Sequence, residues 1–372
     1  KFHCNVCGHD FMRSPTSILF FNTCPECNKK IISASRTKTT EQFKAEITEK
    51  YNGFYILDKT IYTKSNEPCI ITCPEHGDFI TTPNVILRGY GCPKHYNNKS
   101  KQELSLTNFI SELIGKENGT PSDRSLLSGN ELDYYSNIYN VAVEYDGLFW
   151  HSNFLKENDY HLKKTQACAE LGVKLFHVFE DEWLTKQDIV KNIFKRFFNK
   201  VENVIDVNDC DIRAIELDET KNFLNENHIK GECKNNENPR LAFGMYCDDD
   251  LVSITVLSKL EEYKYKLIRY STKLDLTINN AFETMLQYIK KHLDIDELYL
   301  SLDKRYPLNV DLSDFGFELF NETEPMRYNV VFNLRCDDEE LSQIQLSKKA
   351  VVRQIYDCGQ EEYVLKFNKT KL

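Results

Sequence analysis

The stretch ELDYYSNIYNVAVEYDGLFWHS, residues 131–152, decides the fold, because its pattern predicts a β-hairpin. Residues 141–146 alternate between two faces, which is typical of a strand with one buried side. Glu144 and Asp146 share one face of this strand, and Asp133 comes from its partner strand. The stretch therefore predicts three carboxylates that converge on one side of a small sheet.

Three converging carboxylates predict a site for a hard divalent cation such as Mg²⁺, because such ions prefer oxygen ligands. These ions serve phosphoryl chemistry, since they neutralise phosphate charge and lower the pKa of an attacking water. An imidazole, His151, follows just beyond the acids. The alternative is that the acids lie on a solvated sheet face and bind no ion.

The hairpin resembles the core of the PD-(D/E)xK nucleases, in the branch of the very-short-patch mismatch-repair endonucleases and related phage homing endonucleases. The resemblance rests on Asp133 in ELD, on Glu144 and Asp146 in VEYDG, and on FWH, which ends at His151. It continues into YHLKKTQACAELGVKLFHVFEDEW, residues 160–183. One departure is that Asp146 stands where many members of the wider fold carry a lysine.

This resemblance implies a metal-dependent endodeoxyribonuclease that hydrolyses phosphodiester bonds in double-stranded DNA. Asp133 would bridge a catalytic Mg²⁺, and Glu144 and Asp146 would complete the metal shell. His151 would deprotonate the attacking water, because the pKa of imidazole lies near neutrality. Two rival predictions are a DNA-binding regulator with an inactive nuclease core and an acetyltransferase that is targeted by zinc modules.

Further candidates flank this site. Glu103 lies in the first turn of a helix expected to begin near Ser100, and it is either a remote catalytic acid or a favourable N-terminal charge. Lys164, on the helix predicted after the hairpin, either faces the scissile phosphate or is solvated. Arg124 is a candidate contact for a DNA phosphate or for a carboxylate. The acids at 180–182 are expected on a solvated strand end.

The first 100 residues hold paired cysteines and histidines at the spacing of zinc knuckles. Two pairs with sixteen residues between them predict one structural zinc site. Its ligands are Cys4, Cys7, Cys24 and Cys27. Two further pairs, with fifteen residues between them, predict a second Zn²⁺ site. Its ligands are Cys73, His76, Cys92 and His95. In this second site Cys69 is an alternative ligand, and the two histidines are alternatively surface residues.

The string CPEHGDFITTPNVILRGYGCPKH, residues 73–95, resembles the small zinc-ribbon modules found beside phage homing nucleases. That resemblance implies contact with double-stranded DNA through Arg88, Lys94 and Tyr90. Residues 1–100 carry 13 Lys and Arg against 9 Asp and Glu, although the whole chain has a net charge of −10. The first part of the chain can therefore follow a phosphate backbone despite the acidic total.

The order of helices and strands expected over residues 206–335 resembles the acetyltransferase-like fold. The turn that would hold a coenzyme pyrophosphate is KLDLTINNAFET, residues 273–284, and it contains no glycine. Glycine lets backbone N–H groups approach a pyrophosphate closely, so this domain is expected to be non-catalytic. The C-terminal half is also a candidate surface for a homodimer contact or for another protein partner, and its acidity argues against direct contact with a phosphate backbone.

The predicted class is an α/β multidomain protein with two small zinc-binding modules, a PD-(D/E)xK-like α/β nuclease core and a mixed α/β acetyltransferase-like domain. The expected division is a zinc ribbon at 1–35, a second zinc module at 36–98, the nuclease core at 99–202, the acetyltransferase-like domain at 206–335 and a tail at 336–372. The chain contains no run of 18 apolar residues, so no membrane span is expected. Paired cysteines without a secretion signal indicate a reducing compartment, the cytoplasm, which would be the host's if a phage encodes the chain.

Overall fold

The structure, a computed structural model of the 372-residue chain, describes most of its residues. The described residues are 1–14, 17–18, 24–29, 38–51, 53–88, 90–153, 156–234, 237–238, 241–331, 333–344 and 352–367, with only the backbone described for 95–100. The chain divides into two compact units, Lys1–Tyr96 (unit 1) and Asn97–Leu372 (unit 2). None of the described helices is long and apolar enough to cross a membrane. The predicted mixed α/β, multidomain class is confirmed.

Unit 1 is built from short elements, and its two small sheets are both antiparallel hairpins that pair β1 with β2 and β3 with β4. The described elements are β1 (Phe2–His3), β2 (Asp10–Phe11), α1 (Thr40–Lys50), β3 (Cys69–Cys73), β4 (Gly77–Thr81), α2 (Pro83–Leu87) and the start of α3 (Pro93–Ile114). Strands this short bury little apolar area, so a bound metal would add to the stability of unit 1.

Helix α1 shows how the sequence fixes a local element in unit 1. The Thr39 side chain accepts a hydrogen bond from the Gln42 N–H, and the Gln42 side chain accepts one from the Thr39 N–H. This reciprocal cap satisfies two N–H groups that the helix leaves without partners. Phe43, Ile47 and Tyr51 are fully buried on one stripe, as the helical spacing predicts.

Unit 2 begins with a four-stranded sheet in the order β5-β6-β7-β8. Its strands are β5 (Thr120–Leu127), β6 (Asn130–Ser136), β7 (Val141–Asp146) and β8 (Lys174–Phe179). The predicted hairpin is present as the antiparallel pair β6–β7, with Tyr134 opposite Val143. Strand β8 is parallel to β7 and places His177 beside Glu144. β7 therefore lies between two strands, and all of its residues are buried.

The helices of this part lie on both faces of the sheet. They are α3, α4 (Tyr160–Glu170), α5 (Glu180–Thr185) and α6 (Gln187–Phe197). Val143 and Tyr145 of β7 belong to one core with Ile110 of α3 and Phe194 of α6. Ala142 faces the other way and packs near α4. The predicted alternation of faces is therefore observed, but the prediction that only one side of the strand is buried is wrong, because every residue of β7 is buried. Helix α3 begins at Pro93 and not near residue 100 as predicted.

The larger part of unit 2 is a seven-stranded sheet in the order β10-β11-β12-β13-β15-β20-β16. Its strands are β10 (Cys210–Ile215), β11 (Leu241–Cys247), β12 (Asp250–Glu261), β13 (Lys264–Thr272), β15 (Glu297–Asp303), β16 (Phe317–Glu322) and β20 (Gln360–Lys366). The pair β13–β15 is parallel, and the others are antiparallel. Helices α7 (Leu217–Asn227) and α8 (Ala281–His292) contribute buried side chains to the cores beside this sheet.

The segment predicted as a C-terminal tail, 336–372, is not an appendage. Its strand β20 lies inside the seven-stranded sheet and pairs with β15 on one edge and β16 on the other. Periodicity reveals a strand but not its partners, so the sequence did not show this position. The sheet is incomplete without these residues.

Two smaller sheets complete unit 2. Strand β9 (Asn203–Asp206) is parallel to β14 (Leu276–Asn279). The other sheet has the order β18-β17-β19. Helix α9 lies between β18 and β19 in the sequence. Its elements are β17 (Arg327–Val331), β18 (Leu334–Cys336), α9 (Asp338–Gln343) and β19 (Arg353–Tyr356). Val330 and Ile355 of this sheet pack with Leu148 and Phe179, which follow β7 and end β8.

A buried ion network joins α5 to two later segments of unit 2. Glu182 lies 2.9 Å from Arg305 and 2.6 Å from Arg335, measured between carboxylate oxygen and guanidinium nitrogen. The Tyr306 hydroxyl donates to the same carboxylate at 2.8 Å, and Asp181 accepts from Arg335 at 2.9 Å. Glu182 is 6% exposed, so the prediction of a solvated strand end at 180–182 is wrong here. The network compensates charges that would be costly to bury singly.

Candidate metal centres

The four cysteines predicted to bind zinc in unit 1 lie together. The Sγ atoms of Cys4, Cys7, Cys24 and Cys27 are all within 4.8 Å of one another. The Sγ–Sγ distance is 3.7 Å between Cys4 and Cys27 and 3.4 Å between Cys7 and Cys24. Tetrahedral zinc with Zn–S bonds of about 2.3 Å places its sulfurs about 3.8 Å apart. The group therefore fits a structural zinc ion.

The backbone of each knuckle supports this zinc site. The N–H groups of Cys7 and Val6 point at the Cys4 sulfur, and these hydrogen bonds lower the pKa of the Cys4 thiol to about 6. In the second knuckle the Cys27 N–H donates to the Cys24 sulfur at 3.2 Å. The two-residue spacing produces these tight turns, and the thiolate that they favour is the form that binds metal.

A second group forms around the β3–β4 hairpin of unit 1. Cys73, His76 and Cys92 offer ligand atoms within 4.8 Å of one another. The His76 Nδ1 atom is 3.7 Å from the sulfur of each cysteine, close to the edge of about 3.6 Å expected around tetrahedral zinc. The predicted fourth ligand, His95, lies outside the residues whose side chains are described. Cys69 is buried elsewhere on β3 and is not in the group.

The predicted acids of unit 2 do not form one metal shell. Asp133 lies with Glu103 and Glu131, all within 4.8 Å. Its Oδ2 atom accepts the Tyr145 N–H at 2.7 Å. Glu103 is in the middle of α3, so its alternative role as an N-terminal charge is wrong. Arg124 is ion-paired with Glu131, which agrees with the carboxylate alternative for that residue.

Glu144 is held by a lysine. The Lys164 Nζ atom lies 2.6 Å from Glu144 Oε2 and donates to the backbone carbonyl of Glu131. The other oxygen, Oε1, accepts the Asp133 N–H at 3.1 Å. Burial raises the pKa of Glu144, while the attraction of Lys164 opposes that rise. Lys164 therefore neutralises a buried carboxylate and is not a solvated side chain.

Asp146 has different neighbours from the other two acids. Its Oδ1 atom is 3.0 Å from His151 Nδ1 and 3.4 Å from His161 Nε2, and its Oδ2 atom is 2.8 Å from His177 Nδ1. All four side chains are less than a tenth exposed. Burial alone would raise the pKa of Asp146, but the histidines lower it well below its usual value. Burial lowers the pKa of His177.

These contacts correct the predicted magnesium shell of Asp133, Glu144 and Asp146. Lys164 occupies the place beside Glu144 that a cation would take, and Asp146 is turned towards histidine nitrogens. A shell of nitrogen donors suits transition metals rather than Mg²⁺. The three carboxylates share a region of the sheet, as predicted, but each has its own partners.

The sequence reasoning missed three members of these groups: Glu131, His161 and His177. His161 shares a helical side with Lys164, and that spacing is a visible signal. Glu131 alternates with Asp133 along β6, which is also visible. His177 lies within the apolar run of β8 and carries no local signal. A polar residue in such a run indicates a buried partner without indicating which one.

The three residues predicted to contact DNA through unit 1 are all exposed. Arg88 and Lys94 are exposed, and Tyr90 is 54% exposed. The Lys94 Nζ atom is 3.5 Å from the His76 carbonyl oxygen. No ion pair involves the Arg88 guanidinium among the described residues.

A cavity of 590 Å³ lies in unit 2 beside the point where β13 and β15 diverge. Helix α6 closes one side. The Arg196 guanidinium donates to the carbonyl oxygens of Thr272, Lys273 and Leu276 at 3.3, 3.0 and 2.7 Å. The Asn192 side chain accepts the Asp275 N–H at 2.9 Å. The segment after β13 is thus held by side chains of the chain itself.

Solved structures that are similar to part of this chain are acetyltransferases. A Bacillus subtilis acetyltransferase in complex with CoA has 14% identity and a TM-score of 0.27, and the match covers 43% of this chain and 99% of that one. A GNAT-family acetyltransferase from Streptococcus pneumoniae has 10% identity and a TM-score of 0.28, covering 42% and 99%. An IAA acetyltransferase from Bacillus cereus has 9% identity and a TM-score of 0.27, covering 42% and 99%.

The family model that matches is described as a protein of unknown function, DUF723, and it matches residues 36–94. This segment includes the second metal group of unit 1. No curated protein matches the chain.

The prediction that the chain is an endodeoxyribonuclease is contradicted by these comparisons. The structures that match are acetyltransferases, which are transferases, and the matches cover 42–43% of this chain. The zinc prediction is independent of that enzyme class.

Proposed function

We propose that this chain is a zinc-stabilised DNA-binding protein that contacts double-stranded DNA through unit 1. The observation that carries the proposal is that Arg88, Tyr90 and Lys94 are exposed on either side of Cys92, a member of the second metal group. A metal at Cys92 would fix the backbone of this segment. It would thereby hold two cations and an aromatic ring in one place.

The distribution of charge supports a polyanionic partner for unit 1. Unit 1 carries 12 Lys and Arg against 9 Asp and Glu, whereas unit 2 carries 35 against 48. Phosphate contacts supply most of the affinity in non-specific DNA binding, and they require accessible Lys and Arg side chains. Arg88 is suited to this role because its guanidinium can donate two hydrogen bonds to one phosphate.

The core of unit 1 gives this surface a rigid support. The Cys92 N–H donates to the Tyr55 hydroxyl at 2.9 Å, and the Tyr55 ring packs edge-on against Tyr51 and Phe54. Tyr51 donates to the Ile86 carbonyl oxygen at 2.6 Å, just before Arg88. The loop that bears the cations is therefore attached to a packed aromatic cluster, and it would lose little conformational freedom on binding.

Fluorescence anisotropy of a labelled DNA duplex, titrated with the full chain at several salt concentrations, tests the proposal. We expect log K to fall linearly with log salt, by about 0.9 for each phosphate contacted. Lys94→Ala should weaken binding at low salt and reduce the slope by about 1, because one phosphate contact is lost. Arg88→Ala should act in the same way.

Lys291→Ala is the matched control, since it removes one exposed lysine from the acidic unit 2. It should leave both the affinity and the salt slope unchanged. Binding that is absent at about 50 mM salt and micromolar protein would overturn the proposal, because non-specific affinity should be measurable there. Equal effects of Lys94→Ala and Lys291→Ala would show that the predicted surface is not the contact.

A further inference from the structure

Four buried polar side chains meet at the end of β7, and the DNA-binding proposal does not involve them. Asp146 is the last residue of β7, His151 lies in the following turn, His161 is in the first turn of α4 and His177 is on β8. We propose that Asp146, His151 and His161 bind a divalent transition-metal ion, with zinc the first candidate. This site would be distinct from the two cysteine-containing groups of unit 1.

The hydrogen-bond partners fix where the protons lie. His161 Nδ1 is 2.6 Å from the Tyr356 carbonyl oxygen, which can only accept, so Nδ1 carries the proton. In the neutral ring Nε2 then presents a lone pair. This lone pair faces Asp146 Oδ1 at 3.4 Å and His151 Nδ1 at 2.9 Å. The N–H of His177 satisfies the other carboxylate oxygen, Oδ2, at 2.8 Å.

This arrangement leaves one buried acceptor without a hydrogen bond. Asp146 is completely buried, and among the described residues no hydrogen bond of good geometry reaches its Oδ1 atom. His151 Nδ1 lies 3.0 Å from Oδ1, but the same nitrogen is 2.9 Å from His161 Nε2, and its single N–H cannot serve both. Burying a charged oxygen without a hydrogen bond costs free energy and destabilises the folded state. A proton shared between His151 and His161 satisfies the two rings but not Oδ1. A cation at the centre of the three atoms satisfies all of them at once.

The spacing of the three atoms fits a metal. The edges of the triangle formed by Asp146 Oδ1, His151 Nδ1 and His161 Nε2 are 3.0, 3.4 and 2.9 Å. Metal bonds of about 2.0–2.1 Å to nitrogen and oxygen give ligand separations of about 3.3 Å in a tetrahedron. Two imidazoles and a carboxylate are a ligand set used by zinc and by non-haem iron, and they are poorly suited to Mg²⁺ or Ca²⁺.

The second layer of contacts also matches a metal site. Ligating histidines usually donate their other ring N–H to a carbonyl or carboxylate, and ligating carboxylates are themselves hydrogen-bonded. His161 makes such a bond to Tyr356, and Asp146 accepts one from His177. His177 in turn is 3.0 Å from the Thr165 hydroxyl. Each of these partners fixes the orientation of a ligand atom before any ion binds.

Anomalous diffraction at the zinc edge, from crystals of the full chain purified without chelator, tests the proposal directly. We expect peaks at the cysteine groups of unit 1 and a further peak between Asp146, His151 and His161. A peak at the Cys4 group with none at this triangle would overturn the proposal and leave a histidine hydrogen-bond network. This measurement does not depend on any variant being folded.

Metal analysis of variants gives a second test. His161→Gln should hold one metal equivalent fewer than the wild type, whereas His161→Cys, which keeps a ligand, should retain it. His228→Gln is the matched control, because it changes a half-buried histidine at the end of α7. Equal metal content in folded wild type and His161→Gln would contradict the site. If the wild type holds the metal at Asp146, His151 and His161 but does not bind DNA, only the proposed function is contradicted.

Discussion

The buried carboxylate of Glu182 makes a quantitative prediction about acid stability. Burial would raise its pKa, but Arg305 and Arg335 lower the pKa from 4.5 to about 2. The folded state therefore binds this proton less readily than the unfolded state. The resulting stabilisation is fully present above pH 4.5 and is lost as the pH falls from 4.5 to 2. Its size is about 3 kcal/mol, of which about 2 kcal/mol is lost by pH 3.

Urea unfolding followed by tryptophan fluorescence measures this effect. The chain has two tryptophans, and Trp183 is adjacent to Glu182 and fully buried. Other carboxylates also titrate in this range, so the informative quantity is the difference in unfolding free energy between wild type and Glu182→Gln. We expect Glu182→Gln to be about 3–5 kcal/mol less stable near pH 6, because both arginines lose a buried partner.

That difference should shrink by about 2 kcal/mol between pH 6 and pH 3. Glu170→Gln is the control, since it changes an exposed carboxylate at the end of α4. It should alter stability by no more than about 0.5 kcal/mol at either pH. A difference between wild type and Glu182→Gln that stays constant with pH would refute the reasoning, because the carboxylate would then not titrate below its ordinary range.

Three further outcomes are expected. Cys4→Ser should lose one zinc equivalent in elemental analysis while the second group of unit 1 keeps its own; retention of all zinc would contradict the four-cysteine site. Lys164→Met should destabilise the chain by about 3–5 kcal/mol in urea, because Glu144 would stay buried without its cation, whereas Lys163→Met should have little effect; equal effects would contradict the pairing. Calorimetry with acetyl coenzyme A should detect no binding, because residues 273–284 contain no glycine and the Asp275 N–H already donates to the Asn192 side chain; micromolar binding would contradict this.

Local patterns in the sequence were sufficient for several parts of the fold. The alternation at 141–146 predicts which side chains of β7 face each core, because the period of a strand is set by its backbone. The cap at Thr39 and the knuckle at Cys4 are likewise determined by residues a few positions apart. The zinc ligands of the first group could be named before the structure for this reason.

Contacts between distant segments could not be predicted in the same way. His161 and Tyr356 are 195 residues apart, and no local pattern links them. The pairing of Glu182 with Arg305 could not be predicted either, because it depends on the position that the chain takes after β15. The three acids of the hairpin were grouped from the pattern of one element, but their partners come from α3, α4 and β8. Those partners decide which cation, if any, each carboxylate can hold.

The position of β20 between β15 and β16 has a consequence for synthesis of the chain. A ribosome releases the strands of unit 2 in order, so β15 and β16 leave the exit tunnel long before residues 360–366 do. During that interval two long strand edges have no neighbour, and exposed edges are sites of aggregation. We expect a nascent chain stalled before Gln360 to be recognised by chaperones and to be protease-sensitive. Translation must therefore proceed beyond Lys366 before the seven-stranded sheet can close.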